Sequence, residues 1–377
     1  YMRKFQALSL SAALLASLLL GGCANNAASS DAASSDSAAS EPEATPESTP
    51  APPAANPLTG AADADYTGKR PVAVTLRNMT GSTPQWGIAS ADVLVEGVTE
   101  GTTASLMALY ANPDSIAKAG PVGPARDLLL QVALPLNAVP VHIDKNIYAS
   151  NLLNTLAYQD LDGYHIGKTA FAFDQDRQNA GYAEENCWYT TAELINSGLA
   201  SYGVSLNGDN TPLFQFGERP AVDPADRSGM NLTITFSPDD IDCLNYDTGT
   251  GLYALSNGDG SPVQDADNGQ QVGFTNVFVF YASSGIKDDG YTRQYDMTAG
   301  TGLYLHGGAW ERINWTKEDA TGPFAITNEA GETLVVSQGK SFIAIWGGYY
   351  GQSISLTAAD GSAQTLPDKP ALLESGI

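Results

Sequence analysis

Residues 92–110 read DVLVEGVTEGTTASLMALY, and this stretch indicates the fold more clearly than any other. Two apolar runs, Asp92 to Val98 and Ala104 to Tyr110, flank a polar segment around Gly101. Short apolar runs that are separated by a glycine-containing turn are typical of a β-hairpin. We therefore predict a hairpin at this place in the chain.

The segments around the hairpin have mixed periodicities. In chain order they predict a strand at 70–77, a rigid Gly-Pro loop at 120–124, a helix at 125–134, a strand at 138–143, and helices at 148–156 and 190–202. Thr190 and Glu193 suggest a capping box at the start of the last helix. Because the helices do not alternate regularly with strands, this half of the chain is expected to be an α+β domain.

Beyond Arg227 the helical signals stop. Short alternating or aromatic-rich segments lie between turns at 231–236, 251–255, 274–280, 302–306, 308–315, 333–336 and 341–346, and an edge strand could follow at 353–356. Many short strands that are separated by turns are typical of a β-sandwich or a small barrel. We therefore expect a mainly-β C-terminal domain after the α+β N-terminal domain.

The N-terminus has the features of a secretory signal. Arg3 and Lys4 precede an apolar run at 7–20, which ends in Gly21, Gly22 and Cys23. The run is too short to cross a bilayer comfortably, since about 20 apolar residues are needed. Its end resembles a bacterial lipobox, which implies cleavage before Cys23 and lipidation of its thiol. The alternative is an ordinary secretory signal in which Cys23 is incidental.

A change of composition follows Cys23. From 24 to about 65 the chain consists mostly of Ala, Ser, Pro, Asp and Glu, which is typical of a disordered spacer. A recognition segment is the alternative, but the stretch has no aromatic or basic anchor. The resulting organisation is a signal peptide at 1–22, a lipidated Cys and tether at 23–65, an α+β domain at 66–225, a mainly-β domain at 226–350 and a C-terminal extension at 351–377. The expected location is the extracytoplasmic face of the cell membrane.

Charge and cysteine content restrict the function. The formal net charge is -24, which argues against nucleic acid and anionic lipid surfaces as partners because both bind basic footprints. Cys187 and Cys243 could pair outside the cell, but isolated cysteines are most often buried small apolar groups. No zinc spacing and no phosphate-binding glycine loop occurs in the sequence, so we expect neither a metal nor a cofactor.

Several motifs occur together in one order. They are Arg70 to Val74, Pro84 to Ile88, Ala91 to Glu96, Glu100-Gly101, Gly120 to Val122, Ala125-Arg126, His142, Phe236, Tyr246-Asp247, Asp265 to Val272, Asn276 to Val279, Gly300 to Gly302 and Trp310. In this combination the chain resembles the YerB-like lipoprotein family of Gram-positive bacteria over nearly the whole length that follows the tether. The resemblance implies a two-domain lipoprotein whose biochemical function is not established.

The chain departs from the family pattern at four places. Gly123 and Pro124 stand where relatives usually have Arg and Ser, and Ala104-Ser105 replaces a Thr-Arg pair. His142 is followed by Ile, Asp and Lys in place of a Gly-Gly segment, and 184–186 reads EEN where Pro-His-Asn is usual. Two arginines and a histidine are therefore missing from positions where a shared polar site would be built.

Few residues of the first half suggest chemistry. Glu96 and Glu100 flank the hairpin turn, and two carboxylates in a cleft are the minimum set for acid/base work on a glycosidic bond. Arg126, at a helix N-terminus, could hold an anion. His142 beside Asp144 could carry a proton. The expected ligand-binding residues are Arg126, His142, Asp144 and Asn186.

Plainer interpretations compete with each of these assignments. The two glutamates could be a solvated loop edge, or one of them could be a salt-bridge partner of Arg126, and His142 could be a histidine of the core edge. A Ser-His-Asp or Cys-His nucleophile has no local support in the sequence.

Two functions follow from these residues. The first is a non-enzymatic envelope module that binds a partner protein or a cell-wall component. The second is a cell-wall enzyme that uses Glu96 or Glu100 as its acid/base. We favour the binding module over an enzyme because the chain lacks basic and His positions that a shared active site would retain. Convergence of Glu100, Arg126, His142 and Asn186 on one cleft would favour a common site.

Overall fold

The computed structural model of the chain describes residues 53–219, 222 and 226–374. The predicted signal peptide, Cys23 and most of the predicted tether lie outside these residues. Contacts between Cα atoms place all the described residues in one compact unit. Within the same ranges, no helix has the length and apolar character that a membrane crossing requires.

Strands dominate the structure. In chain order they are β1 Val72–Leu76, β2 Val93–Glu100, β3 Thr103–Tyr110, β4 Val139–His142, β5 Leu161–Asp162, β6 Ala172–Phe173, β7 Trp188–Tyr189, β8 Gln215–Phe216, β9 Asn231–Ser237, β10 Asp240–Asp247, β11 Leu252–Asn257, β12 Gly273–Phe274, β13 Asn276–Tyr281, β14 Ser284–Ile286, β15 Arg293–Tyr295, β16 Ala299–His306, β17 Ala309–Thr316, β18 Ala325–Thr327, β19 Val335–Val336, β20 Ser341–Trp346 and β21 Ser353–Thr357.

Among the described residues, the helices all lie before residue 203. They are α1 Asp127–Ala133, α2 Ile147–Thr155, α3 Gly163–Ile166, α4 Gln175–Asn179 and α5 Ala192–Tyr202, with short 3-10 turns at Pro113–Ser115, Leu134–Leu136, Gly167–Thr169 and Glu184–Asn186. The described residues from 226 onward form only strands and loops. The predicted class, α+β followed by mainly β, is therefore confirmed.

The predicted hairpin is present as β2 and β3. The two strands are antiparallel, with Val93 opposite Leu109. Successive residues of a strand point to opposite faces, and here both faces are covered. Val93 and Val95 pack in a cluster with Leu129 and Val132 of α1. The hairpin therefore lies in the interior of the molecule and is not half exposed.

One sheet runs through both halves of the sequence. Its ten strands follow the order β18-β17-β16-β13-β20-β2-β3-β1-β4-β5. β20, late in the chain, pairs in parallel with β13 on one side and with β2 on the other. The strand pattern of the sequence did not reveal this shared sheet, because the residues of β20 do not indicate which strands it pairs with. The division at 225/226 stays a prediction.

A second, five-stranded antiparallel sheet covers one face of the first, with the order β12-β11-β10-β9-β21. Ile234 and Phe236 of β9 belong to the same hydrophobic cluster as Leu94 and Val98 of β2. The two sheets therefore face each other as in a sandwich. β10 begins at this interface, and the sequence analysis did not identify it as a strand.

The folded part begins before the predicted boundary at residue 65. Leu58 is fully buried, and the Asn56 side chain accepts hydrogen bonds from the backbone N–H groups of Leu58 and Thr59. Gly339 donates a backbone hydrogen bond to Thr59. The end of the expected disordered tether is thus a folded segment, because residues 56–60 are buried together and hydrogen-bonded in a turn.

The expected capping box of the last helix needs correction. Thr191, not Thr190, caps α5 by accepting a hydrogen bond from the Leu194 N–H (3.2 Å), so the predicted capping box with Glu193 is wrong. Thr190 instead donates its hydroxyl to the Ala170 carbonyl inside the structure. At the other end of the chain, β21 is the edge strand that was expected at 353–356, and it pairs with β9.

Cys187 and Cys243 are not bonded to each other. Cys187 is buried and its thiol donates to the Ala183 carbonyl at 3.3 Å, whereas Cys243 lies partly exposed on β10. Cys187 therefore behaves as the small buried group that its isolation in the sequence predicts.

Candidate functional site

Glu96 is a buried acidic residue in the middle of β2. It lies on the same face of the strand as Leu94 and Val98, toward the five-stranded sheet, and is only 3% exposed. Asp240 and Asp242 share one face at the start of β10 because they are two residues apart. Carboxylate oxygens of all three residues lie within 4.8 Å of one another. Two strands from opposite halves of the sequence thus bring three carboxylates together.

These three carboxylates line a cleft of about 180 Å³, which we call the carboxylate cleft. The loop after β1 supplies Asn78 and Gln85 to its wall. Asn78 Nδ2 donates to Glu96 Oε1 at 2.6 Å, and Gln85 Nε2 donates to Asn78 Oδ1 at 2.9 Å. This relay fixes the Glu96 carboxylate in the cleft.

Burial changes the acidity of the three carboxylates. It raises the pKa of Asp240 to about 6. Burial and then repulsion by Asp240 raise the pKa of Asp242 to about 7. Burial, followed by the charges of both aspartates, raises the pKa of Glu96 well above its usual range. At neutral pH the cleft therefore holds shared protons as well as negative charge.

The carboxylate cleft has unused hydrogen-bonding capacity. The Oδ2 atoms of Asp240 and Asp242 are buried and have no hydrogen-bond partner among the described residues. The described lining of the cleft includes no lysine or arginine. Clustered carboxylate and amide oxygens suit a hard divalent cation, and they suit a protonated amine equally well. Elevated pKa values in a cleft also fit acid/base chemistry.

Glu100, the other predicted catalytic residue, lies in a different environment. Arg126 Nη2 donates to Glu100 Oε2 at 2.9 Å, and Arg126 Nε lies 2.7 Å from Glu100 Oε1. Both side chains are mostly buried, at 14% and 19% exposure. The structure thus gives Glu100 the salt-bridge role that the sequence analysis kept as an alternative.

His142 ends β4 and belongs to a second charged group. Its Nε2 contacts Asp160 Oδ2 at 2.9 Å and its Nδ1 contacts the Asp144 carbonyl at 2.8 Å. Lys145 Nζ donates to both Asp160 and Asp162. Burial opposes ionisation of Asp160, but hydrogen bonds from His142 and Lys145 prevail and lower its pKa to about 2. The ammonium group thus already neutralises the carboxylates that a cation would need.

Two of the predicted ligand-binding residues, Asp144 and Asn186, form hydrogen bonds that connect segments of the fold. Asp144 adopts a left-handed conformation (φ 70), and its carbonyl accepts from the Ala125 N–H at 2.9 Å. This bond joins the strand end that carries His142 to the segment that carries Arg126. Asn186 Nδ2 donates to the Gly81 carbonyl at 3.2 Å in the loop after β1.

The predicted site is therefore divided. The structure brings Glu100 to Arg126 and His142 to Asp144, but it places Glu96 in the carboxylate cleft. The sequence analysis missed Asp240 and Asp242. Their spacing at alternate positions next to Ile241 and Cys243 is the signal that could have found them, because it puts both carboxylates on one face of a strand.

Comparison with known proteins places the chain in a family. Residues 58–205 match the N-terminal domain, and residues 232–343 the C-terminal domain, of a family of proteins of unknown function (DUF3048). A curated relative from Bacillus subtilis (strain 168), named "Putative lipoprotein YerB", is 27% identical over 274 residues, which cover 68% of this chain and 78% of the relative.

The fold has a solved counterpart. The crystal structure of the YerB protein from Bacillus subtilis superposes with a TM-score of 0.69 at 24% identity, covering 80% of this chain and 99% of that one. At this identity the similarity concerns the fold alone. The chain contains the N-terminal and the C-terminal DUF3048 domain, one after the other. From these two matched domains and the curated relative, we conclude that the chain belongs to the YerB-like family.

Proposed function

We propose that this chain is a membrane-anchored lipoprotein of the extracytoplasmic face, that it acts as a binding module of the cell envelope, and that the carboxylate cleft holds its ligand. Two things support the anchor: the lipobox-like sequence ending at Cys23, and the word lipoprotein in the name of its relative. The partner is an envelope protein or a cell-wall component.

One observation carries the proposal for the cleft. Glu96, Asp240 and Asp242 converge there, and two of their buried oxygens have no partner among the described residues. Buried carboxylates cost free energy unless a proton or a positive group compensates them. A ligand that presents a positive charge, as a divalent cation or a primary ammonium group, would supply that compensation.

A second candidate is a cell-wall enzyme, and the raised pKa values favour it. Glu96 would then work with Asp242 and not with Glu100, because four residues along a strand span roughly 13 Å. Glycosidase carboxyl groups are about 5 to 9.5 Å apart. The oxygens of Glu96 and Asp242 lie within 4.8 Å of each other, just below the lower end of that range. The Arg126 salt bridge also occupies Glu100.

Isolated cell walls test both candidates in one sample. Wild-type protein, the double variant Glu96→Gln with Asp242→Asn, and the control Glu100→Gln are sedimented with walls, and the supernatants are analysed for released muropeptides. We expect wild type and the control to sediment with the walls, the double variant to remain soluble, and no muropeptides to appear.

Two results would contradict this proposal. Muropeptide release by wild type that disappears in the double variant would make the protein an enzyme. Equal sedimentation of all three proteins would show that the cleft is not the binding site.

A further inference from the structure

A separate cavity of about 410 Å³ lies between α1 and the β14–β15 hairpin. Asp127 and Gln131 line it from α1, Tyr148 from α2, and Lys287 and Arg293 from the hairpin. None of these residues lines the carboxylate cleft. The cavity is therefore an independent feature of the molecule, and nothing in the proposed function uses it.

Arg293 is the unusual residue of this cavity. It is only 5% exposed, and its Cζ lies 3.5 Å from the ring centroid of Tyr349. Its Nε is buried without a hydrogen-bond partner, and no ion pair forms between its guanidinium and any residue in 53–219, 222 or 226–374. Buried arginines are ordinarily paired, since the guanidinium has a full charge and several N–H donors. Arg293 thus has a hydrogen-bond donor without a partner, and its charge is balanced by no carboxylate among the described residues.

The other charged groups of the cavity already have partners. Lys287 pairs with Asp127, and the Tyr148 hydroxyl donates to Asp288. Arg293 is consequently the charge that is left over for a ligand. Because two carboxylates also line the cavity, a dianion would meet more repulsion there than a monoanion.

We propose that this cavity binds a small organic carboxylate through Arg293. The fork of N–H donors on a guanidinium matches the two oxygens of a carboxylate, and stacking on Tyr349 holds the fork in place. Leu128, Ile286 and the Tyr295 ring line the same cavity and give the ligand an apolar body to contact. The ligand class is therefore a monoanionic carboxylate with a compact apolar part.

Calorimetric titration of the full chain with benzoate, hippurate and inorganic phosphate tests the proposal. We expect saturable binding of at least one of the two carboxylates at one site, and weaker binding of phosphate. Arg293→Lys keeps the charge but loses the fork, so it should weaken carboxylate binding by about tenfold or more. Arg227→Lys, the same change at a more exposed arginine that pairs with Glu329, is the matched control and should bind as wild type does.

A second variant protects the test against a folding defect at Arg293. Gln131→Phe narrows the cavity from α1 without changing Arg293, and it should weaken carboxylate binding as well. The proposal is overturned if neither carboxylate binds, if phosphate binds more tightly than both carboxylates, or if folded Arg293→Lys and Gln131→Phe both bind as wild type does.

Discussion

The ionisation of Asp242 should make the stability of the protein depend on pH. Its pKa rises from the usual 3.8 to about 7 in the folded state, chiefly through burial. Between these values the folded protein binds more protons than the unfolded chain, so stability falls as pH rises through this window. Asp242→Asn removes that contribution. We expect the variant to gain stability relative to wild type between pH 5 and pH 8, by roughly 2 °C or more in melting temperature at pH 8.

The control for this prediction is Asp209→Asn, which changes an exposed aspartate. Its melting temperature should follow that of wild type at both pH values. A difference between Asp242→Asn and wild type that stays constant from pH 5 to pH 8 would show that Asp242 ionises normally in the folded protein.

Arg126 provides a test of the Glu100 ion pair. Removing the guanidinium leaves a mostly buried carboxylate without its partner, so Arg126→Ala should lower the free energy of unfolding by about 1 to 3 kcal/mol. Denaturant titration measures this loss. Arg227→Ala removes the more exposed pair with Glu329 (37% and 48% exposure) and should cost less than about 1 kcal/mol. Equal losses in the two variants would mean that burial of the Glu100 pair adds nothing.

At the residue scale, sequence reasoning could find pairs whose members each carry a local signal. Arg126 before a helix and Glu100 beside a turn both stand out, and a salt bridge between them was one of the expected outcomes. The carboxylate cleft could not be derived in the same way. Asp240 and Asp242 meet Glu96 only because the two sheets pack face to face. No local sequence pattern predicts a contact between segments that lie so far apart in the chain.

At the element scale, the longer strands apart from β10 were recognised from alternation and the turns between them, whereas their neighbours in the sheets were not. Ser341–Trp346 was predicted as a strand, yet its position between β13 and β2 depends on parallel pairings that connect distant segments. Short strands with both faces buried carry little information about which strand lies beside them.

Gly302 in β16 tests how tightly the middle of the long sheet is packed. A Cβ at this position would lie 2.2 Å from the Val279 carbonyl oxygen, and backbone cannot move away cheaply. Gly302→Ala should therefore lower the free energy of unfolding by about 1 to 3 kcal/mol or more. A Cβ at Gly273 in β12 would lie 3.4 Å from its nearest neighbour, Leu252 Cδ1. Gly273→Ala should therefore change the free energy of unfolding by less than about 1 kcal/mol. Similar unfolding curves for the two variants would contradict the packing described for β16.

At the scale of the whole molecule, the shared ten-stranded sheet predicts that the C-terminal half of the chain does not fold without the N-terminal half. A fragment of residues 229–374 keeps β20 and β21 but loses β2, so it leaves β20 as an exposed apolar edge. We expect the full chain to unfold in one cooperative transition and the fragment to show none by circular dichroism. A fragment with its own cooperative transition would show that the second half folds independently, as the strand pattern of the sequence alone suggests.

The anchor is a separate property of the whole molecule. Cys23→Ala removes the thiol that lipidation needs, and the net charge of -24 disfavours binding to anionic lipids. We expect the variant to leave the membrane fraction when cells are fractionated, while Cys243→Ala stays in it. Retention of Cys23→Ala in the membrane fraction would contradict lipid anchoring at this residue.

The most direct test of the carboxylate cleft as a ligand site is titration calorimetry at pH 7.5 with a divalent cation and a primary amine. The proteins are wild type, Asp242→Asn and the control Glu100→Gln, and calcium chloride and ethanolamine serve as probes. The account predicts that wild type and Glu100→Gln bind at least one probe at a single site and that Asp242→Asn does not. Absence of binding in wild type, or equal binding by Asp242→Asn, would contradict it.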